Sequence, residues 1–146
     1  MSAKSILLVE DNPDDEELIL RSLKKVHIAN DVTVARDGAQ ALEFLFGEGG
    51  RKAFKDGALP AVVLLDLRLP KVGGFEVLKA IRSHPDTRVL PVVILTSSSE
   101  EEDIARSYEG GANSYVRKPI DFAEFASAVS QLGLYWVILN NVPQMG

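Results

Sequence analysis

The chain has 146 residues, 46% of them hydrophobic and 25% charged, with a formal net charge of −5. That size and balance fit one globular domain with a real core and exclude a disordered tail. The absence of cysteine excludes disulfides, thiolate metal sites and cysteine nucleophiles, and fits a reducing, cytoplasmic setting.

The negative charge argues against nucleic acid or an anionic membrane as the main target. His27 and His84 are far apart, so a His-rich metal site cannot be built. The first residues carry no signal-peptide cleavage pattern, and no run approaches the ~20 apolar residues of a membrane span.

In chain order, Ile6–Val9 is a short apolar run without alternation, which reads as a strand buried on both faces. Asn12 offers an N-cap and Pro13 fits the first helical position. Asp14, Asp15, Glu16 and Glu17 suit the positive end of that helix, and Ile19, Leu20, Leu23 and Val26 recur at helical spacing. Val32–Ala35 alternates, as an edge strand does.

Asp37 opens a second helix, with Leu42, Leu45 and Phe46 inward and Gly47 as its stop. Residues 48–60, rich in Gly, Lys and Asp, read as a solvent loop. Residues 61–65 form a second doubly buried strand, and Gly74 opens a third helix carrying Val77, Leu78 and Ile81. Residues 91–95 are the third such strand. Ser99 with Glu102 makes a capping box for a fourth helix, apolar only at Ile104, Ala105 and Tyr108 and ended by Gly110. Residues 113–116 alternate as a second edge strand, and Asp121 caps a fifth helix with Phe122, Phe125, Val129 and Leu132.

Strict βα alternation, five times over, predicts an α/β fold with a doubly wound parallel sheet. Right-handed crossovers then point to the flavodoxin-like (βα)5 arrangement, strand order 2-1-3-4-5. In such a sheet, ligands bind beyond the carboxyl ends of the strands. There the sequence places Glu10 and Asp11, Asp66, Thr96, and Lys118 before Pro119. Converging carboxylates repel unless a cation intervenes. A hard divalent ion such as Mg²⁺ accepts carboxylates, a backbone carbonyl, waters and a substrate phosphate. A carboxylate can itself attack phosphorus, giving an acyl phosphate. Thr96 supplies a hydroxyl and Lys118 an ammonium, the positioning and neutralising groups that phosphoryl transfer needs.

These residues resemble the receiver domain of two-component response regulators. The likeness rests on Glu10-Asp11, the Asp-x3-Pro-x3-Gly pattern from Asp66 through Pro70 to Gly74, Thr96-Ser97, Tyr115 and Lys118-Pro119. It spans residues 4–139 as one receiver domain, with 140–146 a short C-terminal tail. The resemblance implies that Asp66 is the phosphoacceptor. It implies Mg²⁺ held by Asp11, Asp66 and the Arg68 backbone carbonyl, with Glu10 reaching it through water. It implies that Thr96 and Lys118 bind the phosphoryl group, that the Lys118–Pro119 bond is cis, and that Thr96 and Tyr115 form a switch pair.

Within the family, the chain is similar to the stand-alone regulators paired with bacterial phytochromes. The shared features are residues 10–15, the long 48–60 loop, the residues after Asp66 and the Leu134-Tyr135-Trp136 cluster. Two points depart from the usual pattern: the 48–60 loop lengthens the spacing from Asp11 to Asp66, and Arg68 puts a large side chain beside the phosphoacceptor.

The implied function is a phosphorelay switch. A sensor histidine kinase donates to Asp66, and the altered surface binds a downstream protein. No output domain is expected after Asn140, so no direct DNA binding is expected either. Catalysis is limited to the chain's own phosphotransfer and slow autodephosphorylation. A haloacid-dehalogenase-like phosphatase would need an acid/base Asp at position 68, where Arg68 stands. A degenerate receiver, acting only as a binding module, would not need the complete site. Finally, residues 134–139 are apolar all round, and such a segment must be buried on every side. Tyr135, Trp136 and Ile138 are expected at a twofold homodimer interface, the alternative being a tail that folds back over its own domain.

Overall fold

The computed structural model describes residues 5–25, 31–50, 54, 58–97, 101–118 and 123. Its elements alternate: β1 (Ile6–Val9), α1 (Pro13–Lys25), β2 (Val32–Ala35), α2 (Gly38–Phe46), β3 (Val62–Leu65), α3 (Gly74–Ser83), β4 (Val92–Thr96), α4 (Glu101–Glu109) and β5 (Ser114–Arg117). The expected fifth helix and the residues 134–139 lie outside the described residues.

All strand pairs are parallel, in the order β2-β1-β3-β4-β5. The flavodoxin-like order expected from the sequence is the observed one. β1, β3 and β4 are buried along their whole length. Their apolar runs follow from having a neighbouring strand on each edge and packed layers on each face.

Two cores result. On one face Leu7, Val9, Val63, Leu65, Val92 and Ile94 pack with Ala41 and Leu45 of α2 and with Val77, Leu78 and Ile81 of α3. On the other, Ile6, Leu8, Val62, Leu64, Val93, Leu95 and Val116 pack with Ile19 and Leu23 of α1. The period of two along each strand sorts the residues between the faces.

The expected caps form. Asn12 Oδ1 accepts from the N–H groups of Asp14 and Asp15 at 2.9 and 3.0 Å. Asp37 Oδ1 accepts from Gln40 N–H at 2.7 Å. That bond favours the ionised carboxylate and holds Asp37 below its ordinary pKa. Ser99 is outside the described residues. α4 ends at Glu109, so Gly110 stops it as expected, and the residue in the left-handed region is the next one, Gly111, φ 99°.

The solvent-loop reading of residues 48–60 needs one correction. Phe54 is only 2% exposed and belongs to the α2/α3 core, edge-on to Phe44 with ring centroids 6.2 Å apart. A single aromatic in a polar stretch has no periodicity, so its anchoring role is invisible to pattern reading. His84 is half-buried against the ring of Phe46, with ring centroids 4.8 Å apart.

Candidate phosphoryl-transfer site

The sheet delivers acidic residues to one rim. Glu10 N–H donates to Ala35 O at 2.9 Å, and Asp66 N–H donates to Val9 O at 3.1 Å. Each bond extends a strand ladder by one residue, so Glu10 and Asp66 leave the sheet side by side. Lys118 arrives in the same way: its N–H donates to Thr96 O at 2.8 Å, just past β5.

Burial makes these groups consequential. Glu10 is 1% and Asp66 6% exposed. Lys118 Nζ donates to Glu10 Oε1 at 2.5 Å, to Asp66 Oδ2 at 2.8 Å and to Asp15 Oδ2 at 2.9 Å. One ammonium thus spends its three protons on three carboxylates. Burial works against its charge, but the bonds to Asp66, Glu10 and Asp15 outweigh burial and raise its pKa, so it stays protonated. For Glu10 burial dominates, with Asp66 nearby adding repulsion. Its pKa is pushed up to about 7 despite the bond from Lys118.

The remaining acid of the rim, Asp11, is exposed. Carboxylate oxygens of Glu10, Asp11 and Asp66 lie within 4.8 Å of one another. That all-oxygen donor set, in excess of the local positive charge, fits a hard divalent cation.

The loop after Asp66 is tightly built. Arg68 N–H donates to Asp66 Oδ1 at 3.0 Å, fixing the carboxylate's second oxygen. Gly74 N–H closes the loop onto Leu67 O at 3.1 Å. A Cβ at Gly74 would lie 2.3 Å from Asp66 O and 2.6 Å from Leu67 Cα, so only glycine permits this approach. Lys71, in the same loop, adopts φ 64° and pairs with Asp37 at 3.5 Å.

Thr96 is fully buried at the end of β4, and Tyr115 is half-buried on β5. Ile94 is in register with Tyr115 and Thr96 with Arg117. Thr96 and Tyr115 are therefore diagonal neighbours on one sheet face, with Tyr115 against the α2/α3 core. Pro119 and residues Tyr135, Trp136 and Ile138 lie outside the described residues.

The structure thus brings Glu10, Asp11, Asp66 and Lys118 together and seats Thr96 and Tyr115 on the adjoining strands. It also adds Asp15, which pattern reading assigned to the helix dipole alone. The available signal was its place one turn beyond Asp11, which keeps it at the same rim.

Comparison with known proteins agrees with this geometry. The family model "Response regulator receiver domain" matches residues 6–130. The chain is 41% identical over 139 residues to a probable methanogenesis regulatory protein, FilR2, of Methanothrix harundinacea, covering 94% of this chain and 86% of the relative. The solved bacteriophytochrome response regulator AtBRR is 50% identical, with a TM-score of 0.83, and covers 96% of this chain and 99% of its own. The Mn²⁺-bound form of response regulator Rcp1 is 36% identical, with a TM-score of 0.73, and covers 98% and 99%.

Proposed function

Because the chain belongs to the response regulator receiver family, we propose that it is a phosphorelay switch that takes a phosphoryl group from a sensor histidine kinase onto Asp66. The observation that carries the reading is the Asp66 carboxylate itself. It is held at the rim by Arg68 N–H on one oxygen and Lys118 Nζ on the other. The receiver domain spans 4–139, with 140–146 a tail.

The chemistry follows from the side chains. An Asp66 carboxylate oxygen forms the new P–O bond; the P–N bond to the donor histidine breaks, and the imidazole leaves with that electron pair. Lys118, kept charged by its carboxylate partners, offsets charge on the phosphoryl oxygens, and the Thr96 hydroxyl donates to one of them. Asp11, Asp66 and the Arg68 carbonyl would hold Mg²⁺ directly and Glu10 through water; the three carboxylates are the oxygen set noted above. The ion supplies charge neutralisation between the acidic rim and the incoming phosphate. A divalent ion is supported by the Mn²⁺-bound form of Rcp1.

Once modified, Thr96 shifts toward the phosphoryl group and Tyr115 turns into the space it leaves, which their diagonal placement allows. The likeness to a bacteriophytochrome response regulator supports a phytochrome-type kinase as the donor. The message passes to a downstream protein rather than to DNA, in the cytoplasm. No helix among the described residues is long and apolar enough to cross a membrane. The chain performs no turnover beyond its own phosphotransfer and slow dephosphorylation. Tyr135, Trp136 and Ile138 form a homodimer contact.

Intact mass after treatment with a small phosphodonor and Mg²⁺ tests the central claim. Wild type gains one phosphoryl group and Asp66→Asn gains none. Labelling that persists in Asp66→Asn overturns the assignment. For the dimer, Trp136→Glu with Ile138→Glu sediments as a monomer where wild type sediments as a dimer; a wild-type monomer at high concentration removes the claim.

A further inference from the structure

The side chain of Arg68 is turned away from the site its backbone helps to build. Its N–H lies 3.0 Å from Asp66 Oδ1. Its guanidinium instead reaches α4, where Nη2 donates to Asp103 Oδ2 at 3.0 Å. The Arg68 side chain is 67% exposed. Asp103 stands in the first turn of α4, and its carbonyl accepts from Ser107 Oγ at 2.8 Å. One arginine therefore joins the phosphoacceptor loop to a helix 35 residues further along the chain.

We propose that the Arg68 guanidinium is a phosphoryl-binding group held in reserve: Asp103 keeps it in the unmodified protein, and a phosphoryl group on Asp66 takes it and frees the first turn of α4. The inference rests on the reading of Asp66 as phosphoacceptor.

Three physical comparisons favour the exchange. The pair is open to water at its arginine end, where solvent weakens it, although the Asp103 side chain is only 15% exposed. A phosphoryl group offers roughly −1.5 to −2 charge and three acceptor oxygens, to which the planar guanidinium can bind by two parallel bonds. When Asp103 is released, the N-terminal turn of the helix offsets part of the loss, because it favours a carboxylate without a cation beside it. The move also needs no backbone change. The bond from Arg68 N–H to Asp66 Oδ1 already sets the Arg68 Cα next to the acceptor, so side-chain torsions suffice. Lys118, by contrast, is enclosed by three carboxylates and has no such freedom.

The test uses the full chain and beryllofluoride with Mg²⁺ as the phosphoryl mimic. Binding is measured by calorimetry for wild type, Arg68→Ala, Arg68→Lys, Asp103→Asn and the Arg68→Ala/Asp103→Asn pair. Asp103→Asn frees the arginine and tightens mimic binding about two- to fivefold, the range of a pair that water screens. Arg68→Ala weakens binding, and Arg68→Lys, which keeps the charge but not the fork, falls between. In the Arg68→Ala background Asp103→Asn adds nothing. Amide exchange in α4 rises when wild type binds the mimic and does not respond to it in Arg68→Ala.

Equal mimic affinity in wild type, Arg68→Ala and Asp103→Asn overturns the inference and leaves the Asp66 reading standing. So does an α4 response that survives Arg68→Ala. A wild type that does not bind the mimic, or an Asp66→Asn variant that binds it equally well, overturns the Asp66 reading and the inference with it. Unchanged far-ultraviolet circular dichroism, and the charge-conserving Arg68→Lys variant, separate these results from misfolding.

Discussion

Lys118 Nζ sits 2.8 Å from Asp66 Oδ2 and 2.5 Å from Glu10 Oε1, joining two carboxylates that burial would otherwise set against each other. Truncating the lysine leaves both acids at a buried rim without their cation. Breaking a buried pair in this way costs about 3–5 kcal/mol. Lys118→Ala should therefore unfold at markedly lower denaturant than wild type when divalent ions are chelated. Low pH, which neutralises Glu10, should recover part of the loss. Chemical denaturation with chelator at two pH values checks this; an unchanged midpoint would show that the three contacts contribute nothing to stability.

Glu10 carries a pH signature whose sign is fixed by burial. Its pKa is raised from 4.5 to about 7 in the folded protein, so the fold binds its proton more tightly than the unfolded chain does. The stability it contributes is complete below about 4.5 and is lost as pH rises through about 7. Metal-free wild type should thus lose stability across that window relative to Glu10→Gln, whose amide does not titrate. Asp66→Asn should lower the Glu10 pKa, since the Asp66 charge helps to raise it. Mg²⁺ binding should release a proton below pH about 7 and none well above it, because the ion favours the ionised carboxylate. Calorimetry in two buffers of different ionisation enthalpy reads that proton; its absence at pH about 6 would contradict the raised pKa.

What the sequence made legible follows from how each signal arises. β1, β3 and β4 are readable because strands covered on both faces must be apolar throughout, and the polar residue that ends each run then marks the rim. Glu10 and Asp66 were visible for that reason, and Asp37 and Asn12 because caps are local chemistry. Asp15 was hidden because acids in a first helical turn already have an explanation in the helix dipole, and its bond to Lys118 spans 103 residues. The partner of Arg68 was hidden likewise, since nothing local points from residue 68 to Asp103. The apolar run 91–95 and β4 are offset by one residue: Thr96, the polar residue that ends the run, is itself a buried strand residue.

Gly74 sets how closely α3 approaches the phosphoacceptor loop. Gly74→Ala places a methyl group 2.3 Å from Asp66 O, a contact with backbone that no side-chain rotation relieves. The loop must move, and the Arg68 N–H that fixes Asp66 Oδ1 moves with it. Destabilisation of about 1–3 kcal/mol is expected, as for overpacking elsewhere. Phosphorylation by a small donor should slow by more than the unfolded fraction accounts for. Rates measured well below the melting temperature, beside a thermal melt, decide the point; a destabilised variant with a wild-type rate would show that the loop adjusts without disturbing Asp66.

Phe54 gives the converse case, stability without chemistry. Its ring is buried with Phe44 in the α2/α3 core, while the carboxylates and Lys118 lie at the strand rim. Phe54→Ala removes a large buried side chain from a segment with no other large apolar residue between Gly50 and Ala58, so its transfer free energy and the cavity term are both lost. Buried Phe→Ala changes cost about 3–5 kcal/mol. Phe54→Leu refills most of the space and should recover more than half of that. Below the melting temperature both variants should accept a phosphoryl group at the wild-type rate, because no group bonded to Asp66 is touched. Denaturant midpoints and phosphorylation rates for the two variants test the separation. A slowed rate in a fully folded Phe54→Leu variant would mean that the 48–60 segment helps to position Asp66 as well as to fill the core.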